Sequence, residues 1–165
     1  MKTRLFLIIV LVVVALSVNA QNKDEKSFKI GAGAMIGLPM GDVADITTMA
    51  YGVDLLGEYS VAPSFAVTAS IGYLDFAKKS GMSGFKMGYV PVLVGAKYFF
   101  SENIYGSGQI GLSFSTQSGG GNAFTFAPGV GYKVSEKFDL MLKYQSASNE
   151  GSAISFLGVR AGLTF

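Results

Sequence analysis

The chain ends in Leu157-Gly-Val-Arg-Ala-Gly-Leu-Thr-Phe165, a stretch in which apolar residues alternate with small or polar ones. Successive side chains of a β-strand point to opposite faces, so this period of two predicts a strand with one apolar face that ends on Phe165. The same alternation recurs seven more times upstream. The eight predicted strands are 28–38, 51–61, 65–73, 90–98, 104–114, 124–133, 138–145 and 157–165. The chain is therefore predicted to be all-β.

The connections between the predicted strands alternate between long and short. The first, third, fifth and seventh are polar and mostly long: 39–50, 75–84, 115–123 and 148–152. The others are tight turns around Ala62-Pro63, Ser101-Glu-Asn103 and Ser135-Glu136. Outer-membrane barrels have long extracellular loops and short periplasmic turns, and an even strand number returns the chain to its starting side. We therefore predict an eight-stranded antiparallel up-and-down transmembrane β-barrel with both termini in the periplasm.

Residues 1–20 have the order of a cleavable signal peptide. Two basic residues precede the apolar run 5–16, and Val18-Asn-Ala20 places small residues at the cleavage positions. A membrane-spanning helix needs roughly 20 apolar residues, more than this run provides. We therefore expect cleavage after Ala20.

Cleavage would leave a short periplasmic segment at 21–27 and a single barrel domain at 28–165. It would lower the number of Lys and Arg residues from 13 to 11, equal to the 11 Asp and Glu residues. The mature chain then has no charge excess that would indicate nucleic acid as a partner.

Aromatic residues on the apolar face lie at the ends of the predicted strands. The end predicted to be periplasmic carries Phe28, Tyr59, Phe65, Tyr98, Tyr132, Phe138 and Phe165. The opposite end carries Tyr51, Tyr73, Phe114, Phe124 and Tyr144. Membrane barrels have aromatic girdles where lipid meets water, whereas a soluble core has no reason to sort its aromatics by strand end. The pattern favours a membrane barrel over the alternative, a soluble lipocalin-like barrel.

The opposite face of the strands carries eight charged residues, interleaved with glycines. They are Lys29, Asp54, Glu58, Lys97, Lys133, Asp139, Lys143 and Arg160. One hypothesis is a structural salt-bridge network inside the barrel, and the other is a gated, weakly anion-preferring pathway. Eight strands enclose a space only just wide enough for their own side chains, which favours the structural network.

Two prolines, Pro91 and Pro128, fall inside the fourth and sixth predicted strands. Proline cannot donate to a strand ladder, and a closed barrel has no edge strand to accommodate it. We therefore predict β-bulges or local breaks at both positions.

The sequence indicates neither a catalytic site nor a cofactor site. It has no histidine and no cysteine, which disfavours histidine-based hydrolases and zinc or copper sites. Gly106-Ser-Gly-Gln-Ile-Gly111 matches a dinucleotide-binding fingerprint, but it lies within a strand and no helix is predicted after it. Asp42 and Asp45 could bind calcium in the first loop, although exposed acids are usually just solvated. We predict no catalytic residue, cofactor or metal.

Three stretches resemble a known family: Tyr89-Val-Pro-Val-Leu-Val-Gly-Ala-Lys-Tyr-Phe-Phe100, Ala127-Pro-Gly-Val-Gly-Tyr-Lys133 and Val159-Arg-Ala-Gly-Leu-Thr-Phe165. They are similar to the outer-membrane β-barrel domain family related to OmpX and the OmpA barrel. The resemblance implies a location in the outer-membrane lipid bilayer. It also implies that Phe165, as a carboxy-terminal aromatic residue, helps the outer-membrane assembly machinery to recognise the chain.

The resemblance covers strand patterns, which specify a fold and not a reaction. We therefore expect a non-enzymatic envelope protein with a structural or surface-interaction role, whose four long connections could contact a partner. The alternative is a small pore or carrier for a minor solute.

Overall fold

The computed structural model describes residues 27–79, 87–117, 119–149 and 151–165. The predicted signal peptide and all but the last residue of the segment 21–27 lie outside the described residues. Cleavage after Ala20 therefore stays a prediction.

The described residues form eight antiparallel strands that close into a barrel in chain order, with the last strand paired to the first. The strands are β1 Phe28–Met40, β2 Thr47–Ala62, β3 Phe65–Lys78, β4 Tyr89–Phe99, β5 Ile104–Ser115, β6 Asn122–Lys133, β7 Phe138–Asn149 and β8 Ser152–Thr164. The predicted fold and all eight predicted strands are confirmed, including β5, whose apolar face two glycines dilute.

The first connection is shorter than the predicted range 39–50, because β1 and β2 extend into it from both sides. Between them lies the one-turn helix α1, Val43–Ile46. Gly41 enters the turn with a φ of 68°, which favours glycine, and Thr47 Oγ1 donates to the carbonyl of Val43 at 2.6 Å. Within the described ranges, no helix is long and apolar enough to cross a membrane.

The two ends of the barrel differ in their connections. We call the end with the short connections 63–64, 100–103 and 134–137 the turn end; Phe28 and Phe165 lie there. The other end, with connections 41–46, 79–88, 116–121 and 150–151, is the loop end. Predicted connections 75–84 and 148–152 are also partly strand, since β3 runs to Lys78 and β7 to Asn149.

The outward face of the barrel is apolar, and its aromatic residues lie near the two ends as predicted. At the turn end, Phe28 pairs with Tyr59 and Phe65 with Tyr98 across neighbouring strands. Phe165 is 79% exposed. The described wall between the two rings carries exposed aliphatic side chains, such as those of β2 and β8. In a bilayer this surface faces acyl chains, and closure of the sheet satisfies the backbone groups that lipid could not.

Pro91 and Pro128 interrupt the ladder on one side each. Between β3 and β4 the pairing skips two positions of β4, one of them Pro91; between β6 and β7 it skips two of β6, one of them Pro128. The register is the same on either side of both gaps. On their other flanks the prolines pair normally, with Ser113 and Gly108. Of the two predicted alternatives, local breaks are therefore confirmed at both prolines, and neither proline lies in a β-bulge.

Candidate functional site

The interior of the barrel is the candidate site, because it gathers the eight charged residues singled out above. Seven are buried or half-buried on the inward face: Asp54, Glu58, Lys97, Lys133, Asp139, Lys143 and Arg160. The eighth, Lys29, is exposed; it lines cavities at the turn end that also contain Glu58 and Asp139. All eight therefore belong to the interior or its mouth.

Arg160, from β8, is the centre of the network and is 3% exposed. Its Nε donates to Asp54 Oδ2 at 2.8 Å and its Nη2 to Asp54 Oδ1 at 2.6 Å. Its Nη1 lies 3.8 Å from Asp139 Oδ2. A planar guanidinium fork matches a carboxylate in this two-bonded way, which makes the pair one of the stronger types of ion pair.

Asp139 also accepts a short hydrogen bond from the hydroxyl of Tyr105, which is 1% exposed. The ring of Tyr105 lies against Gly131 of the neighbouring strand, where a Cβ atom would overlap it. The alternation of β5 places Tyr105 on the inward face, but it was not among the eight residues singled out from the sequence. The signal that could have found it is a large polar aromatic residue on a strand face that otherwise carries glycine, serine and one glutamine.

Two lysines lie nearer the turn end. Lys97 Nζ is 2.7 Å from Glu58 Oε2 and 4.6 Å from the centre of the Tyr105 ring. Lys133 Nζ lies 4.0 Å from the centre of the Phe99 ring, a cation–π contact. The faces of the Tyr105 and Phe99 rings thus help to stabilise the two ammonium groups, in a region where lysines outnumber acids.

Among the described residues, Lys143 is the most deeply buried lysine, at 5% exposure, and its hydrogen-bond partner is an amide. Its Nζ donates to Gln109 Oε1 at 3.4 Å, while Gln109 Nε2 donates to Ser70 Oγ at 3.1 Å. No carboxylate of the described residues lies within 4.0 Å of Lys143 Nζ. The structure thus joins Lys143 to the polar interior, but not to an acid.

An apolar cap fills the interior at the loop end, which sequence reasoning missed. Its buried members are Met35, Val43, Ala50, Leu74, Phe76, Met87 and Phe156. Phe76 packs edge-on against Phe156, with ring centres 6.2 Å apart, and against Tyr89 at 6.4 Å. Val43 belongs to α1, so the first loop folds over this end of the barrel and contributes to its closure.

The interior cavities given by the described residues are small. A cavity at the turn-end mouth has a volume of about 20 Å³, and two further cavities have volumes of about 10 Å³ each. A space of this size holds one or two water molecules and no larger solute. Within the described ranges, no cluster of three or more acidic, histidine or cysteine side chains is arranged to hold a metal ion.

A larger recess of about 660 Å³ lies on the outer wall. Small residues of β1 and β8, including Ala32, Ala34 and Ala161, form its floor, and larger side chains such as Leu163 and Tyr73 border it. The recess is almost wholly apolar and belongs to the face that contacts acyl chains.

Fold and interior together define a small transmembrane β-barrel. The sequence matches the outer membrane protein β-barrel domain family over residues 8–165, and the chain belongs to that family. The match includes most of the predicted signal peptide and does not test its cleavage. No curated protein matches the chain.

Solved structures with the same fold include Ail, the attachment invasion locus protein of Yersinia pestis. It is 15% identical with a TM-score of 0.61, and the match covers 86% of this chain and 99% of that one. The amino-terminal barrel domain of Pseudomonas aeruginosa OprF is 12% identical with a TM-score of 0.55, with coverages of 85% and 99%. A designed transmembrane β-barrel is 16% identical with a TM-score of 0.55, with coverages of 83% and 95%. At these identities the similarity concerns the fold alone.

Proposed function

We propose that the protein is a non-enzymatic outer-membrane barrel with a structural or surface-interaction role, in which the interior side chains serve to close the barrel. The observation that carries this proposal is the filled interior. At the loop end the apolar cap occupies the cross-section, and below it Arg160, Asp54, Asp139 and Tyr105 hold one another. A barrel so filled offers its loops and its outer wall for interaction, not its lumen.

The contacts made by the interior acids also support a non-enzymatic role. The acids of the network are engaged with Arg160, Lys97 or Tyr105, so none of them is free to act as a base toward a substrate. Because the sequence has no histidine and no cysteine, the most common general base and the most nucleophilic side chain are absent as well.

The proposed orientation places the loop end outside the cell and the turn end, with both termini, in the periplasm. Because the chain has no cysteine, single cysteines can be introduced as position markers. We expect Asp45→Cys and Gln117→Cys, both at exposed loop-end positions, to react on intact cells with a membrane-impermeant maleimide. Glu102→Cys and Glu136→Cys, at exposed turn-end positions, should react only after the outer membrane is permeabilised. The reverse pattern would overturn the orientation.

Phe165 is proposed to contribute to recognition by the assembly machinery. Its ring is exposed on the outer wall, and its backbone N–H donates to the carbonyl of Ile30 at 2.8 Å. Deleting the residue removes one hydrogen bond from the folded barrel, a loss of about 1 kcal/mol. We expect the deletion to reduce the fraction of chains that become heat-modifiable in cells far more than it lowers the unfolding midpoint of purified, refolded protein.

The matched control for this deletion is Phe100→Ala, which removes another exposed outer-wall phenylalanine (67% exposed) at the turn end. It should leave insertion in cells unchanged. If the Phe165 deletion inserts as well as the unsubstituted chain, Phe165 has no role in assembly.

The second candidate function is a small pore or carrier for a minor solute. The observation in its favour is that five of the eight charged residues in the interior or at its mouth are basic, which would favour anions. It requires Arg160 and the apolar cap to move, because the three small interior cavities lined by the described residues each hold no more than one or two water molecules.

A further inference from the structure

Two neighbouring inward residues of β7, Lys143 and Gln145, have hydrogen-bonding capacity that the described residues do not use. An ammonium group has three donors, and Lys143 uses one of them, in the long 3.4 Å contact to Gln109. Gln145 is 3% exposed, and its Oε1 has no hydrogen-bond partner among the described residues. A buried, unpaired polar atom costs about as much as a lost hydrogen bond, so both groups point to an additional partner.

Both residues line the same cavity. It has a volume of about 10 Å³, and Asp54 and Ser70 also contribute to its wall. Leu93 and Leu74 close it on the apolar side. Most of the lining is apolar, and its polar groups come from Lys143, Gln145, Asp54 and Ser70. A space of this size, bordered by two to four hydrogen-bonding groups, has room for a single buried water molecule.

The hydrogen-bond donors and acceptors in the lining indicate which kind of occupant fits. Lys143 can only donate, whereas Gln145 Oε1 and the carboxylate of Asp54 can only accept. An anion would gain from Lys143 but would be repelled by both acceptors, and a cation would be repelled by Lys143. A neutral molecule that both accepts and donates satisfies all three groups.

We propose that a water molecule bound in this cavity accepts a hydrogen bond from Lys143 Nζ and donates to Gln145 Oε1, with its second hydrogen directed to the carboxylate of Asp54. Arg160 occupies one face of that carboxylate, which retains further lone pairs. The water turns Lys143 and Asp54 into a water-bridged ion pair. The site thereby connects Lys143 to the Arg160 network and gives this buried lysine its counter-charge.

The direct test is a crystal structure of the detergent-solubilised barrel, at a resolution that shows ordered water, from crystals grown in sodium bromide. We expect a density peak between about 2.7 and 3.2 Å from both Lys143 Nζ and Gln145 Oε1, without anomalous signal at the bromine edge. An anomalous peak at this position would identify an anion site and overturn the proposal. An empty cavity would overturn it as well.

A double-mutant cycle tests the same site in solution. Lys143 and Gln145 share no direct hydrogen bond in the structure, and a water bound to both side chains would make their substitutions non-additive. We expect Lys143→Met and Gln145→Leu each to lower the urea midpoint of unfolding, and the double variant to lower it by clearly less than the sum. The control pairs Lys143→Met with Ser113→Ala, because Ser113 contacts Thr125 at 2.7 Å and does not line the cavity. That pair should be additive, and additivity in both pairs would contradict the shared water.

Discussion

Replacing Arg160 by methionine is expected to lower the free energy of unfolding of the barrel by about 3–5 kcal/mol, the range for breaking a buried ion pair by removing one partner. Arg160 is 3% exposed and supplies three hydrogen-bond contacts to Asp54 as well as the nearby cation for Asp139. Methionine fills much of the space but leaves two buried carboxylates without their cation. The cost therefore arises mainly from the acids that remain.

The measurement is urea unfolding of the refolded protein in lipid vesicles, followed by loss of heat-modifiable migration on a gel. Lys137→Met is the matched control, because it removes an exposed basic residue of a turn and should leave the midpoint almost unchanged. Arg160→Lys keeps the charge but loses the two-bonded fork, so we expect it to fall between the two. A midpoint for Arg160→Met equal to that of the unsubstituted protein would show that the network does not stabilise the barrel.

Replacing Gly95 by valine is expected to prevent closure of the barrel. Gly95 faces inward from β4, and a Cβ atom there would overlap the carbonyl oxygen of Gly108 and lie 2.7 Å from the Cα of Gln109. Both contacts are to backbone of β5, so relief requires separating two paired strands. In a barrel of eight strands the inward side chains converge, which is why these positions take glycine.

The control for Gly95 is Gly108→Val on the neighbouring strand. Gly108 is exposed on the outer wall, and a Cβ atom there would meet nothing within 4 Å. We expect Gly108→Val to refold and migrate as a heat-modifiable band, while Gly95→Val should stay at the unfolded position. If both variants refold equally, the inward approach of β4 and β5 is looser than the structure indicates.

The residues on the outward face of the barrel could be predicted from the sequence, because the pattern that places them there lies within a single strand. Alternation along one strand decides which residues face lipid, and the aromatic residues mark where each strand meets water. Phe28, Tyr59, Phe65 and Tyr98 were each assigned from their own strand, and the register then placed them as cross-strand neighbours.

The partners inside the barrel could not be predicted in the same way. Arg160 meets Asp54, 106 positions earlier in the chain, across the interior. That contact depends on the stagger of all eight strands, which no single strand encodes. The sequence therefore predicts which charges lie inside, but not which of them meet or that Lys143 is left with an amide.

The apolar cap was missed because β3 was predicted to end too early and β8 to begin too late. Polar residues such as Asp75 suggested a loop, yet Leu74 and Phe76 continue the inward phase of β3, and Phe156 that of β8. Continuing each alternation past the first polar residue would have placed all three inside. Large apolar residues on the polar face are the signal that the interior is closed at this end.

The central claim is that the barrel is closed by its own side chains, and single-channel recording in planar lipid bilayers tests it most directly. Unsubstituted protein, Lys143→Met and Arg160→Met would be compared as refolded, heat-modifiable samples. We expect no reproducible channel events from the unsubstituted protein, because the cap and the Arg160 network fill the lumen. A steady unit conductance from the unsubstituted protein, altered in ion preference by either substitution, would contradict the claim and establish the barrel as a pore.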